Sequence, residues 1–287
     1  AINDIKSFGP GYVKMPASSS GFSWGYGDKE LFRHYFEKLN SRQKSPFIDV
    51  LLTVSTHSPF LINEQDYYLQ KFEKRMVELN LSPADKADRE NYKMQFASIL
   101  YMDDAVKGFF DEFSKRPEFK NTIFLITGDH RMPEIPMSTK IDRYHVPLII
   151  YSPLLKRTEK FQSISTHFDI TPSLLAFLRK HYRINTPTVA SWMGTGLDTA
   201  QTFRNLHGYP YIQTKNGVSD FVLGDWMLNG QQNLFKISST MDLEPVADPA
   251  KLDEILNALK EFNIRNDRFI QGAALIPDSV YQKYKVR

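Results

Sequence analysis

The sequence predicts a layered α/β fold built on a mostly parallel sheet, and three observations support this. Nearly continuous apolar runs lie at residues 47–54, 122–127 and 146–151. Runs of this kind are typical of strands that are buried on both faces of a parallel sheet. Between residues 82 and 113, apolar side chains recur at near-helical spacing, which predicts a long amphipathic helix that covers the sheet. Alternation of such strands and helices indicates a layered α/β domain.

Other elements follow from capping and turn residues. A Ser/Gly-rich loop at residues 17–27 is followed by a short helix that begins near Asp28. A further helix is expected within residues 166–178, with Asp169 or Thr171 as its cap and Pro172 in its first turn. The role of that segment is therefore largely architectural.

The last third of the chain has a different character. After residue 191 the sequence is rich in turns, and two short alternating runs separated by Asn229 and Gly230 predict a β-hairpin. Residues 249–270 place apolar side chains at helical spacing, which predicts a packing helix near the C-terminus.

Composition excludes several functional classes. Lysine and arginine exceed aspartate and glutamate by only 36 − 33 = 3, so the charge supports no nucleic-acid partner. The chain has no cysteine, which excludes disulfides and thiolate metal sites. No run approaches the ~20 apolar residues of a membrane span, and the first residues do not resemble a signal peptide.

The segment at residues 122–136 contains the most informative candidate site. Its apolar run is followed by Gly128, which permits a turn, and then by the adjacent Asp129 and His130. Ligands collect beyond the carboxyl ends of strands in open α/β sheets, so this carboxylate and imidazole favour a metal or phosphate site. In the alternative interpretation, Asp129 caps a turn and His130 is a surface residue.

Three segments in order carry a resemblance to a known family. They are FIDVLLTVSTHSPF at 47–60, ITGDHR followed by RYHVPLIIYSP at 126–153, and THFDITPSLLAFL at 166–178. Together they resemble the sulfatase-like branch of the alkaline phosphatase superfamily, which contains lipoteichoic acid synthases and phosphoethanolamine transferases. The resemblance implies a three-layer α/β/α core at residues 1–190. It also implies a small antiparallel C-terminal subdomain with a terminal helix at residues 191–287.

The resemblance assigns roles to individual residues. Asp129 and His130 match the family's Asp-His metal pair, which would bind one divalent ion such as Zn²⁺, Mn²⁺ or Mg²⁺. His57 matches the histidine that contacts the transferred group or the leaving oxygen. Arg131 stands where many relatives have glycine, so its guanidinium could clamp a phosphate or sulfate or could pair with Glu134.

Two histidines are harder to assign. His145 precedes the run at 146–151 and either lines the cleft as a substrate-binding residue or has a structural role. His167 precedes the third motif and is expected to close a loop in preference to facing the cleft.

The family's nucleophile and first acidic metal ligand have no match before Phe47. The serines at positions 18–20 have flanks typical of a loop, so none is expected to be the nucleophile. We therefore expect the chain to be the C-terminal portion of a larger enzyme, with no catalytic nucleophile of its own. With two ligands, the chain alone is expected to bind metal weakly and to be inactive.

Two classes of function follow from the resemblance. The first is a metal-dependent phosphoryl-group transferase, or a hydrolase of sulfate or phosphate esters, that acts on a small-molecule, lipid-linked or cell-envelope substrate. The second is a non-catalytic binding module that keeps the fold. The resemblance places the protein in the bacterial cell envelope, on the outer, periplasmic side of the cytoplasmic membrane. There a segment preceding these 287 residues would supply the membrane contact.

Overall fold

The computed structural model describes residues 8–42, 46–186, 193–211, 218–230, 232–274, 276 and 278–284. Two units can be distinguished. The first comprises Ala1–Pro136 and Pro147–Leu155, and the second comprises Met137–Val146 and Lys156–Arg287. The predicted boundary between residues 190 and 191 lies outside the described residues and stays a prediction.

The first unit combines helices with a small sheet. Its elements are α1 (Asp28–Asn40), α2 (Gln65–Glu78), α3 (Pro83–Glu90), α4 (Lys93–Phe113), β1 (Phe124–Thr127) and β2 (Leu148–Tyr151). An aromatic core joins α1, α4 and β1 through the buried Tyr35, Leu39, Phe113 and Phe124. The start of α1 at Asp28 agrees with the sequence, as do the positions of β1 and β2.

The long helix predicted for residues 82–113 is two helices. Ser82 caps α3 by accepting a hydrogen bond from the Asp85 amide at 3.1 Å. The amide of Asn91 then bonds to the Asp88 carbonyl, three residues back, which tightens and ends α3. Because α3 buries no side chain, tertiary packing does not hold it in line with α4.

The prediction of a mostly parallel sheet differs from the structure, because both described sheets are antiparallel. In the first unit β1 pairs with β2, with Phe124 opposite Tyr151 and Thr127 opposite Leu148. Parallel neighbours need a long crossover, usually a helix. The described connection between these strands contains only a 3₁₀ turn at Ile141–Tyr144.

The strand predicted at residues 47–54 is wrong for the described fold, because the segment has no regular secondary structure. Its alternating side chains point to solvent: Ile48, Val50 and Leu52 are 82%, 88% and 71% exposed. Its C-terminal end is nevertheless held in place. The buried carboxylate of Asp28 accepts hydrogen bonds from the amides of Val54 and Ser55 at 2.9 and 3.3 Å.

The second unit contains a five-stranded antiparallel sheet and helices. Its elements are α5 (His167–Tyr182), β3 (Gly208–Tyr211), β4 (Asp220–Leu223), β5 (Trp226–Leu228), β6 (Leu234–Ile237), β7 (Leu243–Pro245), α6 (Pro249–Ile270) and α7 (Asp278–Tyr284). The strands neighbour one another in sequence order. One face packs on α6 through Phe221, Leu228, Leu234 and Ile255. The predicted hairpin and the helix at 249–270 are confirmed, and the strands of this region pair antiparallel as expected. The subdomain bounds 191–287 stay a prediction.

The segment Met137–Val146 attaches to this sheet through one buried carboxylate. Asp220 accepts hydrogen bonds from Lys140 Nζ and from the Tyr144 hydroxyl, each at 2.7 Å. It also accepts the Gly230 amide at 2.8 Å. In the described helices of the chain, we find none with the length and apolar character needed to cross a membrane.

Candidate metal and phosphate site

The loop after β1 presents Asp129 and His130 to solvent. Their side chains are 73% and 57% exposed. Asp129 Oδ1 accepts the His130 amide at 2.9 Å, so the carboxylate also shapes the turn, as the alternative interpretation expects. Its other oxygen, Oδ2, lies 3.8 Å from His130 Nε2. One carboxylate oxygen and one imidazole nitrogen therefore lie side by side at an open surface.

A backbone contact sets the tautomer of His130. Its Nδ1 lies 2.7 Å from the Arg131 carbonyl oxygen. A carbonyl oxygen only accepts, so Nδ1 carries a proton, and in the neutral ring the lone pair is on Nε2. Ligating histidines commonly have this arrangement, in which the second ring nitrogen donates to a carbonyl.

His57 lies beside this pair although it is distant in sequence. The centroids of the His57 and His130 rings are 6.2 Å apart, and the ring planes are nearly perpendicular at 83°. His57 occupies a turn in which its amide bonds to the Val54 carbonyl and its carbonyl accepts the Phe60 amide. The structure thus brings together three of the residues that the sequence selected.

Arg131 is engaged with its own loop. Its Nε donates to the Met132 carbonyl at 3.3 Å, and its Nη2 donates to the carbonyls of Ile135 and Pro136 at 2.7 and 3.2 Å. The guanidinium therefore braces the loop that follows His130. Its role as a phosphate clamp stays a prediction.

The remaining sequence candidates are His145 and the serines at positions 18–20. His145 belongs to the Met137–Val146 segment of the second unit, and its side chain is exposed. Its role as a substrate-binding residue stays a prediction. Ser18 and Ser20 lie in a tight turn closed by the Gly21 amide on the Ser18 carbonyl, and their hydroxyls bond to each other at 2.8 Å. This turn agrees with the loop expected for these serines.

Asp129 and His130 fit part of a divalent site. Their donor atoms are 3.8 Å apart, which suits two ligands that each lie about 2.0–2.2 Å from one ion. Both ligand types are compatible with zinc or manganese. Within the described ranges, no group of three or more histidine, aspartate or glutamate side chains could hold a metal ion.

The second unit contains a buried carboxylate, Asp169, in the first turn of α5. The predicted caps, Asp169 or Thr171, are wrong: the cap is Thr166, Asp169 is its capping-box partner, and Pro172 lies inside the helix beyond the first turn. Asp169 is fully buried and accepts hydrogen bonds from the Tyr209 hydroxyl and from the amides of Thr166, Thr195 and Gly196. The pattern T-x-x-D at residues 166–169 was the signal for this cap.

The environment of Asp169 acts on its pKa in opposite directions. Burial raises the pKa of this carboxyl, whereas the hydrogen bonds from Tyr209, Thr166 and Gly196 lower it more, so its pKa lies below the ordinary value of 3.8. The backbone around Thr195 and Gly196 comes close to the first turn of α5 and requires glycine at position 194, because a Cβ there would lie 1.9 Å from the Phe168 carbonyl oxygen. Asp169 is therefore a structural anchor.

Comparisons with known proteins agree with the motifs. The family model described as Sulfatase matches residues 4–180. Lipoteichoic acid synthase-like YvgJ of Bacillus subtilis strain 168 is 26% identical over 173 residues, which cover 54% of this chain and 26% of that protein. Lipoteichoic acid synthase 1 of the same strain is 31% identical over 106 residues, covering 37% of this chain and 14% of the relative.

The lipoteichoic acid synthase of Staphylococcus aureus strain USA300 is 26% identical over 106 residues, again 37% of this chain and 14% of the relative. The chain thus covers less than a third of the length of each of these relatives. The search of solved structures found no match. Because the family match covers more than half of the 287 residues, the chain belongs to the sulfatase family of the alkaline phosphatase superfamily, on the branch of the lipoteichoic acid synthases.

Proposed function

We propose that this chain is part of a metal-dependent phosphoryl-group transferase that acts on a lipid-linked substrate of the bacterial cell envelope. The observation that carries the proposal is the meeting of His57, Asp129 and His130 in one unit of a sulfatase-family chain. The names of the matched relatives, lipoteichoic acid synthases, support the transferase over other family activities. We further propose the outer side of the cytoplasmic membrane as its location, and a three-layer core for the complete protein.

Asp129 and His130 would hold the divalent ion. When bound, such an ion lowers the pKa of a nucleophile and neutralises charge on the phosphoryl oxygens. We propose that the nucleophile and the remaining ligands come from outside these 287 residues, which the greater length of the relatives supports. Two ligands alone would release the ion readily.

His57 is suited to handle a proton at Nε2. Its Nδ1 lies 3.0 Å from the Ser58 carbonyl oxygen and therefore carries a proton. In the first half of a covalent transfer, protonated Nε2 would give its proton to the leaving oxygen. In the second half, the same nitrogen would take the proton of the attacking hydroxyl. With water as the attacking group, the outcome would be hydrolysis of the phosphate or sulfate ester.

Arg131 and His145 are proposed substrate-binding residues with different support. Arg131 directly follows His130, and its guanidinium is held within the loop after the proposed ligands by its bonds to loop carbonyls. An anchored cation of this kind stabilises negative charge without reorganisation. For His145 the support is the resemblance and the exposure of its side chain.

The test uses the complete protein with chromogenic phosphate and sulfate esters. Asp129→Asn and His130→Gln are expected to lower metal-dependent turnover at least about 100-fold, because metal stabilisation of the transition state is worth several kcal/mol. Asp103→Asn, which changes an exposed aspartate on α4, is the matched control and should retain activity.

Each outcome has a distinct meaning. Full activity in Asp129→Asn would remove the metal role. Titration calorimetry on the 287-residue chain should show weak Zn²⁺ and Mn²⁺ binding that Asp129→Asn abolishes. A complete protein that binds metal and the phosphate ester without turnover would favour the alternative of a non-catalytic binding module.

A further inference from the structure

A tryptophan from the loop before α1 lies against the proposed proton-transfer histidine. The ring centroids of Trp24 and His57 are 4.7 Å apart, and the ring planes cross at 64°. The two residues are 33 positions apart in sequence, so this contact joins two separate loops of the first unit. The indole is 38% exposed, so one part of its surface faces solvent and another faces the imidazole.

One carbonyl oxygen binds both rings. The Ser58 carbonyl accepts Trp24 Nε1 at 2.9 Å and faces His57 Nδ1 at 3.0 Å. A carbonyl oxygen has two lone pairs, so it can accept both hydrogen bonds at once. Trp24 thereby fixes the position of the acceptor that determines the His57 tautomer. The nitrogen left for chemistry is Nε2.

The loop that holds Trp24 is itself well anchored. The Met15 amide bonds to the Gly25 carbonyl at 2.6 Å, and Ser23 Oγ donates to the Met15 carbonyl at 3.0 Å. On the other side, Asp28 accepts the amides of Val54 and Ser55, which fixes the residues before His57. The segment before His57 is bonded to Asp28 at the start of α1, and the segment around Trp24 is bonded to Met15 in the loop before α1. These bonds hold the two rings in contact.

We infer that Trp24 is a positioning residue that holds His57 in the Nδ1–H tautomer, with Nε2 presented to the reacting oxygen. The importance of this tautomer for catalysis rests on the proposed function. The tautomer itself is a property of this chain and can be measured without activity. Trp24 acts through His57 and has no assigned contact with substrate. Histidine orientation and tautomer are commonly set by the partner of the second ring nitrogen.

Three variants separate positioning from simple packing. Trp24→Leu removes both the ring and the donor, and Trp24→Phe keeps a ring but removes the N–H. Phe22→Ala is the control, because Phe22 packs on Trp24 with the two ring centroids 5.1 Å apart. It removes an exposed aromatic side chain and leaves the indole and its hydrogen bond in place.

The measurement is the tautomer of His57 in the ¹⁵N-labelled 287-residue chain by long-range ¹H–¹⁵N NMR at alkaline pH, where imidazoles are neutral. Wild type and Phe22→Ala should show the proton on Nδ1. Trp24→Phe should shift the tautomer ratio toward Nε2–H by about fivefold, the effect of one neutral hydrogen bond. Trp24→Leu, which also loses the ring contact, should shift it further in the same direction. An unchanged tautomer in either Trp24 variant would overturn the inference.

Kinetics of the complete protein add a second readout. Trp24→Phe should lower kcat and leave KM unchanged, because a misplaced proton-transfer group is felt in the transition state. A raised KM with unchanged kcat would instead make Trp24 a substrate contact and overturn the positioning role. If Asp129→Asn stays active while the tautomer still depends on Trp24, the proposed metal function fails and the positioning contact stands.

Discussion

Asp129 in the first unit and Asp169 in the second are aspartates of two family motifs, yet their surroundings differ completely. Asp129 has a side chain that is 73% exposed, and among the described residues its one hydrogen-bond donor is the His130 amide. Asp169 is fully buried, and two hydroxyls and three amides donate to it. The first carboxylate keeps lone pairs for a ligand. The second uses its lone pairs within the fold.

The contrast shows that the donors around a carboxylate indicate its role better than its motif does. A buried carboxylate needs hydrogen bonds to offset its lost hydration, and Asp169 obtains them from two segments distant in sequence. An exposed carboxylate has no such requirement and can exchange water for a metal ion. Substitutions at the two positions should therefore affect different properties of the protein.

The largest expected effect is on stability. Asp169→Ala should lower the free energy of unfolding by about 3 kcal/mol or more, because it leaves several buried donors without an acceptor. The same change at Asp129 should alter it by less than about 0.5 kcal/mol. Urea unfolding followed by circular dichroism measures both. Equal losses in the two variants would contradict the distinction between anchor and ligand.

The next effect concerns Arg131, whose guanidinium holds the loop that follows Asp129 and His130. Arg131→Ala removes bonds to the carbonyls of Met132, Ile135 and Pro136 and should lower stability by about 1 kcal/mol. If the guanidinium also binds substrate, KM should rise in the complete protein. Arg131→Lys keeps the charge and loses the forked geometry. Recovery of KM in Arg131→Lys would indicate charge attraction, and no recovery would indicate that the braced loop matters.

The sequence predicted features that depend on local pattern. The helix at Pro249–Ile270 has clear apolar periodicity and a preceding cap, Asp248, whose side chain accepts the Lys251 amide. The adjacency of Asp129 and His130 is likewise local. The resemblance assigns His57 and His130 to one site, and the structure places their rings side by side although no strand precedes His57.

Features that depend on distant partners were missed. The apolar alternation of Ile48, Val50 and Leu52 predicts a strand, but a strand forms only where a neighbour offers a backbone ladder, which sequence pattern cannot reveal. The long-range hydrogen bonds of Trp24 and Asp169 link segments that are 26–40 residues apart. Antiparallel pairing of β1 with β2 was missed because a continuous apolar run is typical of a strand buried on both faces of a parallel sheet. In the structure Ile149, Ile150 and Tyr151 of β2 are instead exposed.

A smaller effect is the dependence of stability on pH in the second unit. Folding lowers the pKa of Asp169 below 3.8, so the folded chain binds fewer protons than the unfolded chain between the two values. This contribution to stability is present above pH 3.8 and is lost as the pH falls below it. Asp169→Asn should therefore show a flatter decline on acidification than wild type, in urea midpoints measured down to the acid limit of folding. A parallel decline would contradict the lowered pKa.

The smallest and most specific effect is the pH dependence of stability that Asp28 causes in the first unit, which is opposite in sign to that of Asp169. Burial raises the pKa of Asp28 above 3.8 and outweighs the hydrogen bonds from Val54 and Ser55, which lower it. The folded chain thus holds a proton that the unfolded chain releases, so wild type loses stability as the pH rises from 3.8 through the folded pKa. Asp28→Asn cannot ionise, and its stability relative to wild type should increase over that interval and then stay constant. Asp103→Asn, at an exposed position, should show no such change. If the relative stability of Asp28→Asn fell over the same interval, Asp28 would be a carboxylate stabilised in its charged form, as Asp169 is, and the two buried aspartates would no longer differ.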